Sequence, residues 1–154
     1  MYLVFGILCA VLHSKKTGQG QVVDGSIVDG TANLMAMMYS MFNFNQWEDR
    51  RDINLLDGGA PFYTTYGTSD DRHISVGAIE DKFYLEFITK LELNLDDLPN
   101  RMDKSNWPKL KDTFQAIIKL KSMREWEKIF SGTDACVAPV LNFEEAFVDP
   151  HNKY

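Results

Sequence analysis

Two short segments of the 154-residue chain combine residue types that can take part in chemistry. The first, residues 57–63, reads Asp-Gly-Gly-Ala-Pro-Phe-Tyr and places a pair of glycines between a carboxylate and two aromatic rings. Glycines allow the backbone to approach a ligand or another chain closely. The same pattern is also typical of a tight turn at the entrance to a domain, so the residues leave both interpretations open.

The second segment, residues 76–80, reads Val-Gly-Ala-Ile-Glu and delivers a carboxylate just before an expected helix. One interpretation is that Glu80 caps this helix, a task that the neighbouring Asp81 could also perform. Alternatively, Glu80 faces a cleft, where it orients or tunes a titrating partner. The pattern alone favours the cap.

The common general motifs of catalysis are absent from the sequence, including the dinucleotide-binding glycine motif, the phosphate loop, the serine nucleophile elbow and the zinc-binding H-E-x-x-H. His13, His73 and His151 are spread along the chain, and none of them is expected to be catalytic. Cys9 and Cys136 lie far apart, without a partner at metal-ligand spacing. This argues against a disulfide scaffold and a zinc site, and it is typical of a reducing compartment.

The overall charge limits the possible partners. The chain carries 16 basic and 22 acidic side chains, a net charge of −6, with no stripe of Lys or Arg. Binding to nucleic acid or to an anionic membrane is therefore not expected. The apolar start, residues 1–12, lacks the basic residue and cleavage site of a signal peptide, and it is shorter than the roughly 20 residues of a membrane span. We therefore expect an intracellular protein without a membrane span.

A β-hairpin is the element expected to position both segments. Residues 62–66 and 73–79 predict two strands joined by a turn at 67–72. The helix that starts at Ser122 should be stabilised by a capping box with Glu125. In chain order, the elements predicted after the hairpin are a helix at 81–93, a helix at 105–121 capped by Ser105, the helix from Ser122, a strand at 136–141 and a short helix at 142–148.

The first 47 residues differ from the rest because they are nearly free of charge. Residues 2–12 predict a helix that is apolar on every face, and such a helix must be enclosed by other protein. We therefore expect part of the protein to be missing on the N-terminal side. A strand is predicted at 21–24 and a helix at 26–42. Four of the seven methionines lie in residues 35–41, which predicts either ordinary core packing or a pliable surface for variable apolar ligands.

Four blocks of sequence, taken in order and spacing, resemble the α-methylacyl-CoA racemases, which belong to the family III CoA-transferases. The blocks are residues 20–24, 56–66, 76–80 and 134–141. The resemblance implies an α/β fold with an α+β small domain, in a considerably longer protein that forms an interlocked homodimer. It divides this chain into the end of the N-terminal part of a large Rossmann-like CoA-binding domain (1–42), a linker (43–56), the small α+β domain (57–141) and the start of a return segment (142–154).

The resemblance also implies a site. Glu80 matches the carboxylate that partners the catalytic histidine of these enzymes, which favours a catalytic role over a cap. The expected substrate-binding residues are Asp57, Gly58, Gly59, Tyr63, Ile79, Met35 and Met38. The catalytic acid and base would lie upstream, so the chain alone is expected to be an inactive fragment. Two departures from the family pattern are Asp81-Lys82 after Glu80, in place of Pro-Gln, and Asp52 in place of a glycine.

The implied reaction inverts the α-carbon of a 2-methylacyl-CoA thioester through an enolate, with the CoA thioester as substrate and no metal or redox cofactor. Two alternatives are a CoA-transferase of the same superfamily and a non-catalytic truncated product that binds a full-length subunit. The single pair Gly58-Gly59 favours the racemase, because transferases of the formyl-CoA type tend to carry a longer glycine-rich loop. The resemblance further implies a peroxisomal or mitochondrial location.

Overall fold

The computed structural model describes residues 1–153, which divide into two units, the first Met1–Asp49 and the second from Arg50 onward. The helices of the first unit are α1 (Tyr2–Thr17), α2 (Ile27–Leu34) and α3 (Ala36–Asn43). The helix expected at the apolar start is confirmed as α1, and none of its side chains is fully buried. It ends at Gly18, whose left-handed φ of 75° suits glycine and whose N–H donates to the Ser14 carbonyl at 2.8 Å.

Two expectations for the first unit are wrong. Residues 21–24 form no strand, because the described part of this unit offers them no neighbouring strand to pair with. The single helix expected at 26–42 is interrupted at Met35, whose ψ of 2° departs from the helical value. The hydrogen-bond ladder nevertheless continues through this residue, since Met35 N–H donates to Thr31 O and Tyr39 N–H to Met35 O, both at 3.0 Å.

A three-stranded antiparallel sheet forms the centre of the second unit, in the order β1 (Tyr63–Gly67), β2 (His73–Gly77) and β3 (Val137–Pro139). The expected hairpin is confirmed. β3 is an edge strand, which is where proline is tolerated in a sheet. It is shorter than expected because Cys136, with a left-handed φ of 52°, leaves the extended conformation.

The helices of the second unit are α4 (Asp81–Lys90), α5 (Trp107–Ile118), α6 (Met123–Phe130) and α7 (Phe143–Val148), with single 3-10 turns at Leu95–Asp97 and Lys104–Asn106. The capping box of α6 is confirmed, because Ser122 N–H donates to Glu125 Oε2 at 2.8 Å and Glu125 N–H to Ser122 Oγ at 3.4 Å. The expected cap at Ser105 is wrong. Ser105 lies inside a 3-10 turn, where its own N–H donates to the Asp103 carboxylate at 2.9 Å.

One face of the sheet packs on the helices, and the other is open. Tyr66, Ile74 and Val76 are buried in a core rich in aromatic rings, among which Phe87 and Phe114 meet edge to face at 5.3 Å. Successive strand residues point to opposite faces. The open face therefore carries the alternate residues, such as Tyr63, Thr65 and Ser75, and it is this face that presents a groove.

Candidate active site

A groove of about 580 Å³ lies on the open face of the sheet. It is lined by the loop before β1, by the paired strands β1 and β2, and by the residue before β3. Among its lining residues are Asp57, Gly58, Tyr63, Gly77 and Cys136. The structure thus brings together three of the expected substrate-binding residues, Asp57, Gly58 and Tyr63.

The carboxylate of Asp57 is engaged within its own loop. Its Oδ1 accepts hydrogen bonds from the backbone N–H groups of Asn54 (2.8 Å) and Gly59 (3.1 Å), and its Oδ2 accepts from Asn54 Nδ2 at 2.7 Å. Burial alone would raise the pKa of Asp57, but these hydrogen bonds outweigh it and hold the pKa below its ordinary value. Asp57 therefore shapes the wall of the groove by holding the loop.

The two glycines that follow are required by the same loop. Gly58 has a φ of 97°, which side-chain-bearing residues rarely adopt. A Cβ on Gly59 would lie 2.6 Å from both the backbone N and the backbone O of Asn54, closer than any real contact. The interpretation of this segment as a tight turn therefore fits its geometry, and the turn is also part of the groove.

Tyr63 and Gly77 face each other across β1 and β2. A Cβ on Gly77 would lie 4.0 Å from Tyr63 Cε2, so the tyrosine ring rests beside the bare glycine backbone. Gly77 N–H also donates to the Cys136 carbonyl at 2.9 Å. These contacts fix the end of β2 from both sides, three residues before Glu80.

Glu80 occupies the position just before α4, with an extended backbone (φ −74°, ψ 148°). Its carbonyl accepts the Tyr84 N–H at 2.9 Å, but its carboxylate accepts no hydrogen bond from the helix. The structure therefore contradicts the interpretation of this side chain as a cap. The carboxylate is exposed, and within residues 1–153 it has no hydrogen bond or ion pair of its own.

The Cys136 thiol lies in the field of this carboxylate. Burial raises the pKa of Cys136, and the negative charges of Glu80 and Asp134 raise it further. Because both effects favour the neutral form, Cys136 is a thiol rather than a thiolate at neutral pH. Glu80 itself does not line the groove, but its negative charge acts on Cys136, which does.

Arg101 is a residue that the sequence analysis missed. Its guanidinium donates to the Ala78 carbonyl at 3.3 Å and to the Asp81 carboxylate at 2.6 Å, so it spans the residues on either side of Glu80. A single arginine in a polar loop carries no sequence signal. Its role depends on the hydrogen bond to Ala78, a residue 23 positions away.

The other expected site residues, Gly59 and Glu80 included, are not among those that line the groove. Ile79 is half-buried and packs against the core of the second unit. Met35 and Met38 belong to the first unit, Met35 at the interruption between α2 and α3 and Met38 on α3. Met35 is exposed and Met38 half-buried.

Residues 1–153 lack two features that would bear on function. They contain no group of three or more His, Cys, Asp or Glu side chains placed to hold a metal ion. Within the same residues, no helix is both long and apolar enough to cross a membrane.

Comparison with known proteins identifies the family. Residues 1–154 match CoA-transferase family III over the whole chain. The chain is 47% identical over 148 residues to the human α-methylacyl-CoA racemase and 45% identical to the mouse enzyme, in each case covering 96% of this chain and 39% of the relative. It is 26% identical over 156 residues to a cinnamoyl-CoA:phenyllactate CoA-transferase of Clostridium sporogenes, covering 97% of this chain and 38% of that relative.

The fold agrees with this assignment. The crystal structure of Rv3272 from Mycobacterium tuberculosis superposes with a TM-score of 0.69 at 16% identity, covering 96% of this chain and 38% of the other. The chain therefore belongs to CoA-transferase family III, and it spans about two-fifths of the length of the curated relatives that it matches.

Proposed function

We propose that this chain, as a member of CoA-transferase family III, is part of an α-methylacyl-CoA racemase, an isomerase that inverts the α-carbon of 2-methylacyl-CoA thioesters. The observation that carries the proposal is the much higher identity to two racemases than to the Clostridium transferase. The free carboxylate of Glu80 supports it, because a carboxylate that no structural bond occupies is available to stabilise a protonated partner.

We assign residues 1–42 to the end of the N-terminal part of the large CoA-binding domain and residues 43–56 to the linker. Residues 57–141 are then the small α+β domain, and residues 142–154 begin the return to the large domain. In the full-length protein, two such chains form an interlocked homodimer. This arrangement allows Glu80 to complete a site whose catalytic acid and base come from elsewhere in the assembly.

The reaction begins when a base removes the α-proton of the thioester, which gives an enolate, and ends when an acid returns a proton to the opposite face. Glu80 stabilises the protonated form of a histidine in this cycle, because a carboxylate favours a nearby cation. The chemistry needs an acid and a base only, so the protein uses no metal or redox cofactor. CoA enters as part of the substrate.

The substrate-binding roles follow from the same assignment. Tyr63, on the open face, contacts the acyl chain, and the loop of Asp57, Gly58 and Gly59 forms the neighbouring wall. Ile79 holds the apolar surface next to Glu80. Met35 and Met38 add adaptable apolar contacts, because unbranched thioether side chains adjust to ligands of different shapes. The substrates are branched-chain acyl-CoA thioesters of lipid metabolism, handled in peroxisomes or mitochondria.

A hybrid enzyme tests the proposal. This chain replaces the matching 148-residue region of the human racemase, and exchange of the α-proton of a 2-methylacyl-CoA with deuterated water is measured. We expect exchange by the hybrid and none by the 154-residue chain alone, because the acid and base are supplied by the human sequence. A hybrid that melts cooperatively but exchanges no proton would overturn the proposal.

The CoA-transferase is the second candidate, favoured by the match to the Clostridium enzyme. The same hybrid distinguishes the two activities when an acyl-CoA is incubated with a different free carboxylic acid. A racemase leaves the CoA on its original acyl group. Transfer of CoA to the added acid, at a rate comparable to proton exchange, would replace the racemase by the transferase.

A further inference from the structure

We infer that Arg101 is a positioning residue, which fixes the backbone around Glu80 and so sets where its side chain leaves the chain. The inference rests on the proposed role of Glu80 in the reaction. It goes beyond that role because it names the group that holds this carboxylate in place.

The Arg101 guanidinium donates hydrogen bonds to residues that precede and follow Glu80. Nη1 donates to the backbone carbonyl of Ala78, a fully buried residue, and Nη2 donates to the carboxylate of Asp81. The two acceptors flank the dipeptide Ile79-Glu80. Two donors in one rigid plane restrain the dipeptide between them more strongly than a single contact would.

The guanidinium is itself held firmly. The Arg101 side chain is only 11% exposed, and its Cζ lies 4.4 Å from the ring centroid of Tyr84 and 4.7 Å from that of Phe62. Both rings belong to the core, and a cation over an aromatic face is attracted to it. The Arg101 backbone is fixed as well, because Trp107 Nε1–H donates to its carbonyl at 2.8 Å.

Glu80 needs such a support because its own side chain has none. Its carboxylate makes no bond within the described residues, so the backbone, which sets where the Cα–Cβ bond points, is what restrains it. The ion pair with Asp81 adds little by itself, since the Asp81 side chain is fully exposed and such pairs are weak. The decisive contact is therefore the hydrogen bond to Ala78 from a guanidinium that is anchored on the core.

Hydrogen exchange on the full 154-residue chain tests the positioning role of Arg101 without an assay of catalytic activity. Arg101→Met keeps an apolar stem against the rings but removes both donors. We expect the amides of Ile79 and Tyr84, which donate to the carbonyls of Gly77 and Glu80, to exchange about tenfold faster in this variant, while those of α5 and α6 are unchanged. Lys119→Met is the matched control, because Lys119 also pairs with an exposed aspartate, Asp71, but lies away from this segment. Unchanged exchange at Ile79 and Tyr84, or an equal increase throughout the second unit, would overturn the inference.

Kinetics of the hybrid enzyme test the consequence for catalysis. We expect Arg101→Met to lower kcat for α-proton exchange about tenfold with KM changed less than twofold. Arg101→Gln keeps one neutral donor for the Ala78 carbonyl and should recover most of the rate. If the folded hybrid exchanges no proton, the proposed function fails, and if the hybrid is active but Glu80→Gln has no effect, the role of Glu80 and with it the inference on Arg101 fail. If Glu80→Gln is slow but Arg101→Met is normal, only the positioning role of Arg101 fails.

Discussion

The carboxylate of Glu145 binds Arg72 through both of its oxygens, with Nη2 to Oε2 at 2.5 Å and Nη1 to Oε1 at 3.0 Å. Arg124 Nη2 donates to the same Oε1 at 3.2 Å, and Asn142 N–H donates to Oε2 at 2.9 Å. One side chain of α7 therefore connects this helix to residues next to β2 and on α6. The paired guanidinium of Arg72 is the leading reason that the pKa of Glu145 is lowered to about 2.

The first prediction is an acid-sensitive attachment of α7. A carboxyl whose pKa is lower in the folded state contributes stability above its unfolded pKa of about 4.5, and this contribution disappears as the pH falls towards 2. We expect Glu145→Gln to lower the free energy of unfolding at pH 6, with a smaller loss at pH 3. Urea titrations at both pH values give the comparison.

Glu144→Gln provides the control for this prediction, because Glu144 is exposed on the same helix. It should cause the same small change at pH 6 and pH 3. An effect of Glu145→Gln that does not depend on pH would show that the ionised state of Glu145 is unimportant for the attachment of α7.

The second prediction concerns Glu80 in the hybrid enzyme. Glu80→Gln keeps the shape of the side chain but removes its charge, and it breaks no bond within the described residues. A charge-assisted hydrogen bond is worth about 1.5 to 3 kcal/mol, and each 1.36 kcal/mol is tenfold in rate. We therefore expect α-proton exchange to slow on the order of 10 to 100-fold, with an unchanged melting temperature.

Melting temperature and exchange rate should be measured on one preparation, with Glu92→Gln as the control for removing an exposed glutamate after α4. A helix cap would behave in the opposite way, since losing a cap costs about 1 kcal/mol of stability and leaves the rate of folded enzyme unchanged. A normal rate in a less stable protein would return Glu80 to a structural role.

The features that the sequence predicted correctly depend on neighbouring residues. The capping box of Ser122 and Glu125 is encoded within four positions, and the hairpin follows from two alternating runs joined by a turn. The features that it missed depend on distant residues. Arg101 acquires its partner Ala78 only when the chain folds, and the same holds for its contact with Tyr84, which is buried in the core beneath it.

The candidate site likewise has some features that the sequence predicted and others that depend on the fold. The glycine pair and the position of Glu80 at a strand end were visible as patterns, because each is a local arrangement of residue types. That the Asp57 carboxylate is bonded within its own loop, and that the Glu80 carboxylate forms no hydrogen bond among residues 1–153, could not be predicted. A sequence shows where a carboxylate occurs, but the hydrogen bonds that it forms depend on the fold.

The third prediction tests the loop that walls the groove. A Cβ at residue 59 would overlap the backbone of Asn54, so Gly59→Ala forces the loop to move. Overpacking of this kind costs about 1 to 3 kcal/mol. We expect a clearly lower melting temperature for Gly59→Ala. Gly67→Ala is the control, because a Cβ there would make only an ordinary contact of 3.9 Å with Gln115. Equal stability of the two variants would contradict the close approach at Gly59.

The apolar surface of α1 underlies the fourth prediction. Phe5, Leu8 and Leu12 are spaced by three and four residues and share one side of the helix, and they are 68%, 58% and 68% exposed. Monomeric proteins rarely expose contiguous apolar patches larger than a few hundred Å². The residue spacing therefore gives α1 a continuous exposed apolar surface rather than isolated apolar side chains.

We accordingly expect the 154-residue chain to self-associate, and a chain of residues 50–154 to remain monomeric, when both are measured by light scattering at equal concentration. Replacing Phe5, Leu8 and Leu12 together by Glu should reduce the association of the long chain, because charges on this side of α1 oppose burial. Phe147→Glu is the matched control, since it removes an equally exposed ring, 83% accessible, from α7 instead. A monodisperse monomer of the 154-residue chain, or a larger effect of Phe147→Glu than of the triple replacement, would show that α1 does not drive association.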